Sequence, residues 1–331
     1  VAGGSFDDAR GRWLLSGRRS NLADAIRLVD SNLGEPKYLD SFSKVEYDFS
    51  EATSGALHLL VANDHLRVNN SQETESSKVS DNTAYIWATG EHRWSEQLLG
   101  RALLAYTNVD NDRDGTVEDP GRRSGFVRDH RSFNASNLKL ELQQGNDGLL
   151  FQYGLELGLL SAHYSYASSL DVAAGEPFPD SPPSLTVREA TLQPDGSQQA
   201  AFVSGRWRMT DRLTTELGMR WDNQTWDRVD GGTQLSPRLN LRYDPDARTQ
   251  LRASWGRFYQ AQGINELQLE DGIQTFFPAQ RADHLILSAE HALVNHIRVR
   301  LEAYYKDYEE LRPRFENQFD PLVLIPELQT D

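Results

Sequence analysis

Apolar and polar residues alternate one for one over long stretches of this chain. Leu213, Thr215, Leu217, Met219 and Trp221 fall on one side of such a stretch, and Thr214, Glu216, Gly218, Arg220 and Asp222 on the other. Leu235, Pro237, Leu239, Leu241 and Tyr243 alternate with Ser236, Arg238, Asn240 and Arg242. Ile297, Val299, Leu301, Ala303 and Tyr305 do the same with Arg298, Arg300, Glu302, Tyr304 and Lys306. A period of two sends the two sets to opposite faces of a β-strand, whereas an amphipathic helix would repeat about every 3.6 residues. The pattern predicts about thirteen strands, near 11–20, 38–49, 54–68, 79–94, 97–110, 123–144, 148–168, 198–209, 212–226, 235–244, 248–260, 281–293 and 296–309. Several exceed the roughly 5–6 residues of a globular strand and reach the ~9–11 that cross a bilayer at a tilt.

Short and long connections alternate along the whole chain. Short turns are expected at 50–53, 95–96, 145–147, 210–211, 245–247 and 294–295, and long connections at 21–37, 69–78, 111–122, 169–197, 227–234 and 261–280. Transmembrane barrels sort loops in this way, with short turns at the periplasmic end and long loops outside. The long segments are therefore expected to be extracellular. The segment at 21–37, around Leu22, Ile26, Leu28 and Val29, is expected to hold a helical turn or more, and that at 170–197, with Pro177, Pro179, Pro182 and Pro183, to be irregular. Phe49, Trp94, Phe151, Trp207 and Tyr243 each lie close to a short turn, where a belt of rings would meet the membrane interface.

Composition removes competing classes. The mean hydropathy of -0.62 and the 38% of hydrophobic residues come with no apolar run near the ~18 residues of a spanning helix, which excludes a helical membrane protein. A barrel tolerates this composition, because only every second residue of its wall meets lipid. A formal charge of -15 argues against nucleic acid as a partner. The absence of cysteine excludes a disulfide scaffold, a cysteine-bound zinc and a thiol nucleophile. The chain opens Val1-Ala2-Gly3 without a basic and apolar leader, so any export signal is expected to have been removed or to lie upstream.

Candidate chemistry is sparse. Asp110, Asp112 and Asp114 stand at alternate positions before Gly115, as in the opening of a calcium loop, with Glu118 nearby. Position twelve of such a loop would be Gly121 rather than a bidentate glutamate, and the segment reads equally as a solvated acidic loop. Calcium is the only cofactor the sequence suggests. There is no nucleophile elbow, phosphate-cradling loop or H-E-x-x-H motif, and no catalytic residue is assigned. His130, His163, His284, His291 and His296 lack ligand spacing with a carboxylate and read as wall residues. Parity places Asp222, Trp226, Phe258, Gln260, Lys306 and Tyr308 on the inner face near the long-loop end, where a captured ligand would sit. The same residues would equally line a hydrated lumen or pack on a plug.

Three stretches carry a family resemblance. They are Gly11-Arg12-Trp13-Leu14-Leu15-Ser16-Gly17-Arg18-Arg19-Ser20 with Tyr38 to Tyr47, Leu235-Ser236-Pro237-Arg238-Leu239 with Arg252-Ala253-Ser254-Trp255-Gly256, and Gln280-Arg281-Ala282-Asp283-His284 with Leu301 to Asp307. Together the chain resembles the barrel of TonB-dependent outer-membrane receptors over most of its length. The resemblance implies an all-β, antiparallel up-and-down transmembrane barrel of about 22 strands, filled by a plug and energised through TonB. Residues 1–331 would be an incomplete part of that barrel, since no plug, TonB-contact segment or aromatic-terminated closing strand is found. The implied role is energised uptake of a scarce solute, such as siderophore-bound iron, cobalamin or an oligosaccharide, across the outer membrane of a Gram-negative bacterium. The implied partners are outer-membrane lipid, the TonB complex through the plug, and that small ligand. A passive porin closed by about 16 strands, a soluble all-β binding protein and an outer-membrane phospholipase or protease are the alternatives.

Overall fold

The computed structural model describes residues 1–20, 35–70, 75–175, 182–226, 234–294, 296–316 and 328–330. Fifteen strands form one antiparallel sheet: β1 (Ala2–Phe6), β2 (Gly11–Arg19), β3 (Glu35–Ser50), β4 (Thr53–Asn70), β5 (Glu75–Ser95), β6 (Leu98–Asp119), β7 (Arg123–Gly145), β8 (Leu149–Val172), β9 (Ser184–Leu192), β10 (Asp195–Arg208), β11 (Leu213–Gln224), β12 (Gln234–Asp246), β13 (Thr249–Gln260), β14 (Gln280–Val294) and β15 (Ile297–Glu309). Each pairs with the next in the chain, except that β8 takes β9 and β10 along the same edge. Among the described residues β1 and β15 are not paired with each other, so the barrel is open. A separate two-stranded sheet joins β16 (Arg314–Glu316) to β17 (Leu328–Thr330). Among the described residues no helix is long and apolar enough to cross a membrane, which says nothing of a wall made of strands.

All thirteen expected strands are present, with their apolar positions on one face. Leu217 stands opposite Leu239, Leu239 opposite Trp255, and Trp255 opposite Leu285. On the other face Glu216 meets Asn240 and Asn240 meets Ser254. The apolar residues remain open to the surroundings, with Leu104 61% and Leu159 69% exposed, as suits a face that lipid covers.

The short turns have a common chemistry. Ser50, Ser95, Asn146, Thr210 and Asp246 each accept, through a side-chain oxygen, a hydrogen bond from the backbone N–H two residues on. This motif mimics a backbone turn and lets the chain reverse in two to four residues. Phe49 and Trp94 sit where the register slips beside these turns, between Asp48 and Ser50 and between Arg93 and Ser95. Trp94 lies so close over Gly100 that a Cβ there would stand 2.5 Å from the indole, which is why a glycine faces the ring.

Several expected loops are wall instead. The ladder between β6 and β7 runs on to Asp119 and Arg123, leaving only 120–122 as a turn around the positive-φ Gly121. Segment 111–122 is therefore not a loop, and Gly115 is an ordinary ladder residue between Ser77 and Val127. Segment 69–78 likewise narrows to 71–74, which lie outside the described residues, as do most of 21–37 and 227–234. In 169–197, β8 continues to Val172 and β9 pairs back on it, in line with β10. The two are separated at Pro194, which offers no N–H to the ladder although its carbonyl still accepts from Ala162. Above a membrane both faces of a strand meet water, so alternation fades from the sequence while the backbone pairing continues.

The outward assignment is testable by charge. Leu217→Arg or Leu239→Arg should cost about 2–4 kcal/mol of folding into bilayers for a site near the midplane. Asn240→Lys, one position along and opposite Glu216, should cost little. Equal tolerance of all three in a bilayer refolding titration would show that lipid does not cover this face.

Candidate functional site

The inner face is recognisable by what lies on it. Segment 261–279, between β13 and β14, turns back across the wall and covers β7 and β8. Ile264, Leu267 and Leu269 are buried against Val127, Ala162, Tyr164, Tyr166 and Trp226. Polar contacts fix the same surface. The Tyr164 hydroxyl donates to the Ile264 carbonyl at 2.8 Å and accepts from the Leu267 amide at 3.2 Å. The Trp226 indole N–H donates to the Gln262 carbonyl at 3.0 Å. Arg131 is held by Asp129, whose side chain is 4% exposed, and reaches both the Leu267 carbonyl and the Glu270 carboxylate. Arg188 donates to the Glu270 carbonyl. The segment expected as an outer loop at 261–280 is thus folded inward, because its apolar residues find a partner surface only on the lumen side.

Within the segment Glu266 accepts from the Gly263 amide and pairs with Arg312 at 2.8 Å. Burial pushes its carboxyl up, but Arg312 and the amide outweigh that and hold it below the ordinary glutamate value.

Below the segment, ion pairs run sideways across the inner wall. Arg101 of β6 lies between Glu91 at 3.0 Å and Glu141 at 3.6 Å, and Lys139 is 3.9 Å from Glu141 and 3.1 Å from Glu156. Glu156 is 2.7 Å from Arg220, which also binds Asp222. The small Ala200 of β10, between Glu156 and Asp222 in register, lets β8 and β11 touch over it.

The six residues expected at the mouth all face inward and divide into three settings. Phe258, Lys306 and Tyr308 surround His284: the Phe258 and Tyr308 rings lie 5.1 and 6.1 Å from the imidazole, and Lys306 is its partner in register. Nε2 of His284 is shielded and has no hydrogen-bond partner among the described residues. Gln260 pairs with Gln280 where segment 261–279 leaves and rejoins the wall. Asp222 belongs to the ion-pair row, and Trp226 is buried under the segment. Sequence reasoning missed Tyr164, Tyr166, Asp129 and Arg131, although an unbroken parity count up β7 and β8 would have put them on the inner face.

The acidic candidates part company. Asp110, Asp112 and Asp114 share one face of β6, but as a ladder strand and not as a loop, which corrects the calcium-loop expectation. Glu118 stands eight residues above Asp110 on an extended strand, roughly 26 Å away, and shares no site with it. His130, read from the sequence as a plain wall residue, has Nδ1 2.7 Å from an Asp112 oxygen.

The sequence matches the family described as TonB dependent receptor-like, beta-barrel, over residues 13–311. No curated protein matches it. Among solved structures, the siderophore receptor PiuA from Acinetobacter baumannii aligns with TM-score 0.65 and 10% identity, covering 91% of this chain and 54% of that one. The alcaligin outer-membrane receptor FauA from Bordetella pertussis aligns with TM-score 0.55 and 14% identity, over 95% and 49%. The RagAB peptide transporter aligns with TM-score 0.60 and 9% identity, over 90% and 43%. At such identities the likeness is one of fold, and the chain spans about half the length of these proteins.

The inward anchoring can be read by thiol labelling, since the chain has no cysteine of its own. A Leu267→Cys probe should react slowly. Tyr164→Phe or Arg131→Ala should each speed labelling roughly tenfold, because each leaves buried backbone groups of the segment unpaired at a cost of about 1–3 kcal/mol. The Glu266 contact contributes above the ordinary glutamate range and is lost as pH falls through its lowered value, so the segment should loosen on acidification, read as Leu267→Cys labelling relative to the same thiol in the unfolded chain at each pH. Fast labelling of the parent at neutral pH would mean that the segment is not docked.

Proposed function

The chain belongs to the TonB-dependent receptor β-barrel family, and from that premise we propose that it forms part of the outer-membrane wall through which a scarce solute is actively taken up. The solute class is that of iron chelates, with cobalamin and oligosaccharides as the neighbouring possibilities in size and polarity. The observation that carries this reading is segment 261–279 packed on the lumen side above a polar, ion-paired inner wall. A wall so lined narrows the free path and presents fixed polar and aromatic groups to a captured ligand, which suits a receptor better than an open pore.

Phe258, Lys306 and Tyr308 around His284 are the proposed contact group, with Gln260 beside them. A cation beside two rings and an imidazole suits an anionic, partly aromatic chelate, because Lys306 supplies charge and the rings supply stacking area. Asp222 and Trp226 act one step back, by holding Arg220 and segment 261–279 in place. Coupling to TonB would run through a plug, and bilayer lipid would cover the apolar face. Of the two neighbouring receptors, PiuA is a siderophore receptor and FauA an alcaligin receptor, which is why iron chelates head the list.

Uptake of a labelled ferric chelate by cells producing the intact receptor tests the reading. Collapse of the proton-motive force should abolish uptake, and Phe258→Ala with Lys306→Ala should weaken chelate binding about tenfold, the worth of roughly 1.4 kcal/mol. Uptake that persists without energy would identify a passive pore.

A further inference from the structure

Above the apolar belt, the outward face of the tall wall changes character. Going up β6, Leu104 and Tyr106 give way on the same face to Asn108, Asp110 and Asp112. On β7 the same rows hold Leu138, Ser136, Asn134, Ser132 and His130, and on β8 Leu157, Leu159, Ser161, His163 and Ser165. Asp112 therefore stands opposite His130, and Ser132 lies between Asp110 and His163.

One ligand atom from each of Asp110, Asp112 and His130 lies within 4.8 Å of the others. The His130 and His163 rings are 5.9 Å apart. Among the described residues neither Asp110 nor Asp112 is paired with an arginine or lysine, although the carboxylates of the inner wall are matched to cations one after another. We propose that Asp110, Asp112, His130 and His163 form an outward-facing site for a divalent transition ion of the zinc class.

The donor set decides the class. Calcium and magnesium take oxygen ligands, whereas two imidazoles with two carboxylates suit zinc and its first-row neighbours. Bonds of about 2.0–2.2 Å to nitrogen and oxygen put neighbouring donors roughly 3.3 Å apart in a tetrahedron, so small side-chain rotations bring Asp110, Asp112 and His130 together, and His163, whose ring is 5.9 Å from that of His130, is the fourth donor that would swing in. The supporting wall is rigid, because β6, β7 and β8 are laddered without a break on both sides of the four residues. Asp114 is one row higher, opposite Arg128, and is not part of the set.

The test uses the intact receptor in detergent, stripped with chelator and titrated calorimetrically with zinc chloride and, separately, calcium chloride. The parent should bind zinc saturably at this site and calcium not measurably there. His130→Ala with His163→Ala, and separately Asp112→Asn, should each remove one zinc equivalent or weaken it by roughly tenfold or more. Cobalt should report the same site through a visible spectrum with mixed nitrogen and oxygen donors, lost in the histidine variant. All four residues face outward on paired strands, so the variants should keep the strand signal in circular dichroism, and uptake by the lumen should be unchanged. Zinc stoichiometry and affinity equal in parent and double-histidine variant, or calcium binding in preference to zinc, would overturn the proposal.

Discussion

Every backbone amide of a wall that crosses lipid must find its partner on a neighbouring strand, because no water is there to take its place. That constraint fixes the ladder, and the ladder fixes everything else in this chain. Once Leu217 is opposite Leu239, the period of two dictates that Glu216 and Asn240 share the other face. A slip of one residue would send the charged set into lipid, so the side chains hold the register as firmly as the hydrogen bonds do. The side-chain oxygens of Ser50, Ser95, Asn146, Thr210 and Asp246 complete the device by reversing the chain within a few residues.

The inner wall solves a different problem. Charged groups that face a lumen repel their own kind unless they alternate, and here they alternate across strands, from Glu91 through Arg101, Glu141, Lys139 and Glu156 to Arg220 and Asp222. Individually such half-exposed pairs contribute little. As a row they set which face of each strand can be hydrated, and they leave segment 261–279 to dock higher up, where Tyr164, Tyr166 and Trp226 offer an apolar surface.

The positions and facing of thirteen strands and the ends holding short turns were legible in the sequence, since each follows from alternation or from turn chemistry, whereas β1 and β9 were not. The departures have two causes. Above the bilayer the outer face of β6 reads Asn108, Asp110, Asp112 and Asp114, while the inner face also carries Asn111 and Arg113, so the period of two vanishes although the strand does not. For the same reason β9 was hidden: water on both sides of 184–192 removes the pattern that marks a strand. The inward fold of 261–279 depends on a surface contributed by residues about a hundred positions away in sequence, as with Tyr164 and Ile264. No local window contains that information.

The outward histidines illustrate the same limit from the side of chemistry. Eighteen residues separate Asp112 from His130, a spacing that means nothing until the register of β6 and β7 is known. The turn at 120–122 sets that register, so the length of one hairpin decides whether an imidazole meets a carboxylate or a neighbouring serine. Strand length beyond the membrane is therefore not a passive extension of the barrel, because it is what brings distant donors onto one outward row.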